Sequence, residues 1–240
     1  MDEKPHPDGG LSGVSVVIPV YESQAIDKLC TRILEVLADT PCEIILVDDA
    51  STDDSWATIQ KLHDRWPEVS AIRLTRNSGQ HQALLAGIRR AKYEISVTID
   101  DDFDQDPADI PKLVSKLLDS NADVIYGLRA TPRGLRKPPR DIVSTLFRLL
   151  LGKAVGIPNF RNFGPFRAFK THLRAHFCEF RGGGASIDAL LGWGARSIDF
   201  CPVSAVRKPM SQSRYSTLRL LALSLDVLVL YSRRPATAVI

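Results

Sequence analysis

The chain has 240 residues, 44% of them hydrophobic and 25% charged, and a net charge of +3. This length buries a sizeable core, as one large domain or two small ones, and the composition excludes wholesale disorder. So small a net charge gives no argument for nucleic acid, and none is expected as a partner.

The opening residues, MDEKPHPDGGLSG, are polar and predict a disordered tail over 1–12 instead of a signal peptide. Short β-branched runs then alternate with helical patterns. VSVVIPV (14–20), EIILVDD (43–49), VSAIRL (69–74), EISVTID (94–100) and ADVIYGL (122–128) read as strands. Between them, 24–38, 54–65, 79–91 and 109–120 carry apolar residues at helical spacing. Continuous Val and Ile runs imply strands buried on both faces, hence an α/β fold with a mostly parallel sheet flanked by helices. Ligands of such sheets gather at the carboxyl ends of the strands. Three of those ends, 19–22, 48–54 and 100–106, are polar.

The second half reads differently. RATPRGLRKPPR (129–140) is basic and rich in Pro and Gly, which predicts a mobile loop, followed by a helix over 141–151. An aromatic stretch, NFRNFGPFRAF (159–169), and a Gly-rich turn, RGGGAS (181–186), come next. A short helix (187–193), a strand (196–203) and an amphipathic helix (216–232) complete the pattern. With no repeat and no interdomain linker, the expected organisation is one domain over 13–215 and a C-terminal amphipathic helix and tail over 216–240. The stretch LRLLALSLDVLVLY (218–231) carries Arg219 and Asp226 and is shorter than the ~20 apolar residues of a membrane span. With Arg214, Arg219, Arg233 and Arg234 around it, this helix suits an anionic membrane surface, or alternatively packing on the sheet. Cys30, Cys42, Cys178 and Cys201 form no CxxC pair, as expected of reduced thiols in a cytosolic protein.

Acids concentrate in 43–54 and 100–109, and Arg and Lys in 129–140, 161–181 and 207–219. An acidic site facing basic segments suits a cation together with a phosphorylated ligand. In TIDDDFDQDP (98–107), alternation along an extended chain would bring Asp100, Asp102 and Asp104 together while Asp101 points elsewhere. Such mutual repulsion is relieved by a hard divalent cation, Mg²⁺ or Mn²⁺, or by full solvation of the loop. An EF-hand fails on this spacing, because Gln105 stands at position six and Pro111 at position twelve. In VDDASTDDS (47–55), Ser51 or Asp53 suits a cap for the helix beginning near Ser55, while Asp48 and Asp49 could accept hydrogen bonds from a base or ribose. Arg129, Arg133, Arg136, Lys137, Arg140, Arg207, Lys208 and Arg214 suit phosphate, or simply a solvated surface. HLRAH (172–176) lacks the glutamate of a zinc HExxH helix, and no GxSxG, Walker lysine or GxGxxG occurs.

VVIPVYES, EIILVDDASTDDS, RNSGQHQALLAGIRRA and TIDDDFDQDPADIP together resemble the family-2 glycosyltransferases of the GT-A fold. DVIYGLR, GKAVG, GPFRAF and SQSRYS, in that order, are similar to segments of the polyprenyl-phosphate sugar transferases, such as dolichyl-phosphate mannose synthase. The resemblance implies that Pro19, Tyr21, Glu22, Val47, Asp49 and Asp101 hold a nucleotide-sugar, GDP- or UDP-linked, with Lys208 and Arg214 on the same donor. Asp100 and Asp102 would bind both donor and metal. Asp104 stands where the family has a glutamine metal ligand. Arg129, Arg140 and Ser144 would face the acceptor phosphate.

That chemistry is a metal-dependent inverting transfer of a sugar to polyprenyl phosphate. A phosphate monoester is already anionic near neutral pH, with a second pKa of about 6, and needs no protein base. The alternatives are a family-2 enzyme using a polysaccharide or other hydroxyl acceptor, and an interaction protein that retains the fold. The expected location is cytoplasmic, peripheral at the cytoplasmic face of the membrane, with a membrane surface or a membrane-protein partner close by.

Overall fold

The computed structural model describes residues 13–129, 160–177 and 186–204. The predicted tail over 1–12, the loop after Arg129, the helix over 141–151, most of the Gly-rich turn and the C-terminal helix lie outside the described residues.

The first strand, β1 (Val14–Val20), is buried along its whole length. Alternation divides it between two cores. Val14, Val16, Ile18 and Val20 face one cluster, and Val17 the other. The first cluster takes the apolar stripes of α1 (Ile26–Val36), α2 (Ser55–Arg65) and α4 (Ile110–Asp119). The second takes α3 (Gln80–Arg90) and α5 (Ile187–Gly194). Both faces are therefore covered, as the continuous Val and Ile runs require.

Strands β2 (Cys42–Asp48), β3 (Val69–Arg73), β4 (Ile95–Thr98), β5 (Val124–Arg129), β6 (Arg167–Lys170) and β7 (Ile198–Val203) join β1 in the order β3-β2-β1-β4-β6-β5-β7. Pairing is parallel except at β6, which runs antiparallel to both β4 and β5. The mostly parallel α/β sheet is thus as expected. β6 was not anticipated: its residues, RAFK, lack the aliphatic run that marks the other strands.

Two boundaries matter for function. EISVTID was expected to stay extended to Asp100, but β4 ends at Thr98 and a turn occupies Asp101 and Asp102. And β1 pairs with β2 on one side and β4 on the other, so the strand order reverses beside β1. A crevice opens at such a switch point, outside the carboxyl ends.

Helix α3 reaches this crevice by lying unusually close to the sheet. A Cβ on Gly87 would stand 2.4 Å from Val17 Cγ1 and 3.0 Å from Val47 Cγ2, both stiff β-branched side chains. Gly87→Ala is therefore predicted to lower stability in chemical denaturation by about 1–3 kcal/mol, the usual cost of overpacking, despite alanine's better helix propensity.

Candidate active site

Three adjacent strand ends build the site, and each turns through a left-handed non-glycine residue. Glu22 follows β1 (φ +50°), Ala50 follows β2 (φ +57°) and Phe103 follows β4 (φ +59°). Such conformations persist only where surrounding bonds hold them, and they cluster at functional sites. Here Glu22 N donates to Ser51 Oγ (3.0 Å), and Thr52 Oγ1 donates to Glu22 Oε1 (2.9 Å). Asp49 N donates to the Val20 carbonyl (2.9 Å), locking the β1 and β2 ends together. Neither expected helix cap is the N-cap, which is Asp54: Asp53 accepts from Ser55 N (3.0 Å) in the preceding turn, and Ser51 serves Glu22.

Asp48, which ends β2, and Asp49, which follows it, both make internal bonds. Asp48, with no exposed surface, accepts from Ser51 N (3.1 Å) and lies 3.1 Å from Arg73 Nε. Asp49 accepts from Ser78 N (2.7 Å) and Gly79 N (2.8 Å), one on each carboxylate oxygen. It thereby fixes the loop leading into α3. Tyr21 is exposed at the rim, and the Glu22 carboxylate beside it raises its phenol above the ordinary value. Pro19 is buried. Val47 has no exposed surface and lies in the core beneath α3.

Asp100, Asp101 and Asp102 crowd the end of β4. Gln80 Nε2 donates to Asp100 Oδ1 (2.5 Å), and Asp100 N donates to the buried Gln105 Oε1 (3.1 Å). Burial, then the charges of Asp102 and Asp101, push the Asp100 carboxyl up to about 7, against a smaller lowering by Arg167. Asp101 Oδ2 accepts from Tyr21 N (3.3 Å), and its carbonyl from Ser23 Oγ (3.2 Å), which ties β4 to β1. Asp102 Oδ1 accepts from Asp104 N (2.9 Å). The remaining two acids are structural: Asp106 Oδ1 accepts from Ala108 N (3.0 Å), and Asp109 Oδ2 from Ser204 N (2.6 Å).

The expected trio of Asp100, Asp102 and Asp104 needs correcting. Among the described residues, no three His, Cys, Asp or Glu side chains gather as a metal cluster. The reason is the turn: alternation requires an extended chain, and the chain bends after Thr98. A divalent metal still fits. Mg²⁺-type sites use one or two carboxylates and take their other ligands from substrate phosphates and water. The charge stress on Asp100 is what such an ion relieves.

Sequence reasoning missed a buried row beneath Asp100. Arg167 lies opposite Thr98 on β4 and Tyr126 on β5. Arg167 Nε donates to Thr98 Oγ1 (2.9 Å), its Nη1 pairs with Asp188 Oδ1, and Tyr126 Oη donates to the same oxygen (3.1 Å). Its signal was an arginine inside the aromatic run GPFRAF, where a fully buried guanidinium requires a partner. Arg129 ends β5, which runs parallel to β4, so its backbone sits at the same sheet edge as Asp100. Arg140, Ser144, Lys208 and Arg214 lie outside the described residues.

A family model described as Glycosyl transferase family 2 matches residues 15–177, more than half of the chain. The chain belongs to glycosyl transferase family 2. It is 31% identical over 234 residues to the undecaprenyl-phosphate 4-deoxy-4-formamido-L-arabinose transferase of Klebsiella pneumoniae (strain 342), covering 92% of this chain and 68% of that one. Among solved structures it is similar to glucosyl-3-phosphoglycerate synthase from Mycobacterium tuberculosis in complex with Mn²⁺, UDP and phosphoglyceric acid. The TM-score is 0.67 at 21% identity, over 95% of this chain and 81% of that one. It is also similar to the mannosyltransferase PcManGT from Pyrobaculum calidifontis in complex with GDP-Man and Mn²⁺, with TM-score 0.58, 25% identity and coverage of 85% and 60%. The chain thus spans about two thirds of that curated relative and 60% of the mannosyltransferase. The family-2 fold is GT-A, and the enzyme class is glycosyltransferase.

The Asp100 shift has a consequence for stability. The folded protein holds this proton up to about 7, whereas an ordinary aspartate releases it near 3.8. Between those values the folded state binds more protons than the unfolded one, so the contribution of Asp100 to stability falls as pH rises. In metal-free protein the stability difference between Asp100→Asn and wild type should grow in favour of the variant from pH 5 to about 8. A flat difference in denaturation midpoints across that range would contradict the assignment.

Proposed function

We propose that this glycosyltransferase moves a sugar from a UDP- or GDP-sugar to a polyprenyl phosphate, with inversion at the anomeric carbon. The acceptor reading is carried by the similarity to the undecaprenyl-phosphate transferase over 92% of the chain. The site agrees with it. A hydroxyl acceptor calls for a general base to take its proton, and a carboxylate is the base expected of such an enzyme here. Among the described residues, Asp188 is a carboxylate near this site, and it is engaged by Arg167 and Tyr126. An acceptor phosphate arrives already ionised.

In this reading Asp100 and Asp102 face the metal and the donor diphosphate, with Gln80 and Gln105 fixing Asp100. A bound Mg²⁺ or Mn²⁺ supplies Lewis-acid stabilisation to the departing diphosphate. Tyr21 and Glu22 line the nucleoside side. Asp49 acts through the 77–79 loop that it holds, and Asp101 by binding the β1 end. Arg129, Arg140 and Ser144 position the acceptor phosphate for in-line attack, and Lys208 and Arg214 neutralise the donor. No helix among the described residues is long and apolar enough to cross a membrane. A lipid acceptor places the enzyme at a membrane surface, on the cytoplasmic face where nucleotide-sugars are made, with a membrane-protein partner as one means of attachment.

Isothermal titration with UDP and GDP should show nucleotide binding that requires Mn²⁺, and absence of metal-dependent binding would remove the reading. Asp102→Ala should reduce sugar transfer by about a hundredfold or more, the scale of one lost transition-state contact. Asp104→Gln should leave transfer nearly unchanged, so equal loss in both variants would contradict the proposed roles.

A further inference from the structure

The buried arginine beneath Asp100 poses an electrostatic problem that the catalytic roles leave unanswered. Arg167 is 1% exposed, so its charge must be balanced by protein groups. Thr98 gives it a neutral acceptor, already committed through its own hydroxyl to the Pro165 carbonyl (2.6 Å). The Tyr126 ring lies 5.8 Å from the guanidinium carbon. Full compensation comes from carboxylates, and among the described residues two interact with it: Asp188, in direct contact, and Asp100, through space.

The fold brings both toward the same guanidinium: Asp188 pairs with it directly, and Asp100 follows two residues after Thr98, the residue that Arg167 faces and bonds across β4 and β6. Adjacent residues in the first turn of α3 reach each way. Gln80 binds Asp100, while the ring nitrogen Nδ1 of His81 accepts from Ile187 N (3.4 Å), next to Asp188. Burial lowers the His81 imidazole below its ordinary value, so it adds no second cation. Across the sheet, Thr98, Arg167 and Tyr126 stand in one row on β4, β6 and β5. One buried cation is therefore paired with Asp188 and also interacts through space with Asp100, which is metal-facing in the reading above.

We infer that Asp188 is a positioning residue for the metal site: by neutralising Arg167, it keeps the guanidinium from claiming the Asp100 carboxylate and leaves Asp100 available to a divalent cation. Without the Asp188 charge, Asp100 is the carboxylate among the described residues that still interacts with Arg167. Its carboxylate is then shared with a guanidinium, and an unbalanced positive charge lies under the metal. Removing the arginine as well abolishes both effects. A purely structural ion pair would change stability and leave metal affinity alone. A general base at Asp188 would change turnover and leave metal affinity alone.

This inference rests on the metal-dependent reading proposed above, and the experiment separates the two. Mn²⁺ binding to the full chain is followed by electron paramagnetic resonance with saturating UDP or GDP, alongside thermal melting without metal. Asp188→Asn should weaken Mn²⁺ binding by about tenfold or more, the equivalent of one pK unit of electrostatic interaction. The double variant Arg167→Gln/Asp188→Asn should return to within about twofold of wild type, and that non-additivity is the signature of coupling. Arg167→Gln alone should bind Mn²⁺ at least as tightly as wild type, which tests the idea even where Asp188→Asn does not fold. Wild-type affinity in Asp188→Asn, a double variant as weak as the single one, or weaker binding in Arg167→Gln would overturn it. A wild-type protein that binds no Mn²⁺ with nucleotide would overturn both the metal-dependent reading and this inference.

Discussion

Like-charge repulsion at the end of β4 is the constraint around which the site is organised. Three consecutive aspartates leave the sheet together, and the first is buried enough for its carboxyl to titrate near 7. A carboxylate placed this way is costly without a counter-charge. The surrounding groups each meet part of that cost. Gln80 donates to the carboxylate, Gln105 holds its backbone, and Arg167 lies beneath it, already paired with Asp188. The donor diphosphate would bring negative charge to the same place, and a divalent ion is the group that reconciles the two.

That arrangement depends on features far from any ligand. The reversal of strand order beside β1 opens the crevice, and the antiparallel insertion of β6 delivers Arg167 to its floor. Gly87 lets α3 settle against Val17 and Val47, which carries Gln80 to Asp100 and His81 to the start of α5. The left-handed turns at Glu22 and Ala50 are held by bonds between the β1 and β2 ends, and Asp104 N donating to Asp102 Oδ1 spans the one at Phe103. Pre-organisation of this kind allows charge stabilisation without reorganisation during the reaction.

Much of the fold was legible because parallel strands buried on both faces announce themselves as Val and Ile runs, and those runs coincide with β1, β2 and β4. β6 was illegible for the opposite reason: Arg-Ala-Phe-Lys carries no strand signal, and tertiary pairing alone makes it extended. In the site, local chemistry was read well and geometry less well. The acidic cluster was visible, yet alternation was applied past the end of β4, where the chain had already turned. Asp49 also accepts from backbone amides of a loop about thirty residues away, a pairing no local pattern encodes. Arg167 and Asp188 are separated by 21 residues and meet only through the sheet, so their pairing could not be read from spacing.

The central claim is that an ionised lipid phosphate accepts the sugar. It is tested most directly by incubating the protein and Mn²⁺ with α-linked UDP- and GDP-sugars and a short-chain polyprenyl phosphate, with the matching polyprenol as control. Products are followed by mass spectrometry, and their anomeric configuration by NMR. The account predicts a metal-dependent, β-linked polyprenyl-phosphate sugar and no product from the polyprenol. Equal transfer to polyprenol, or transfer only to a saccharide hydroxyl, would contradict it.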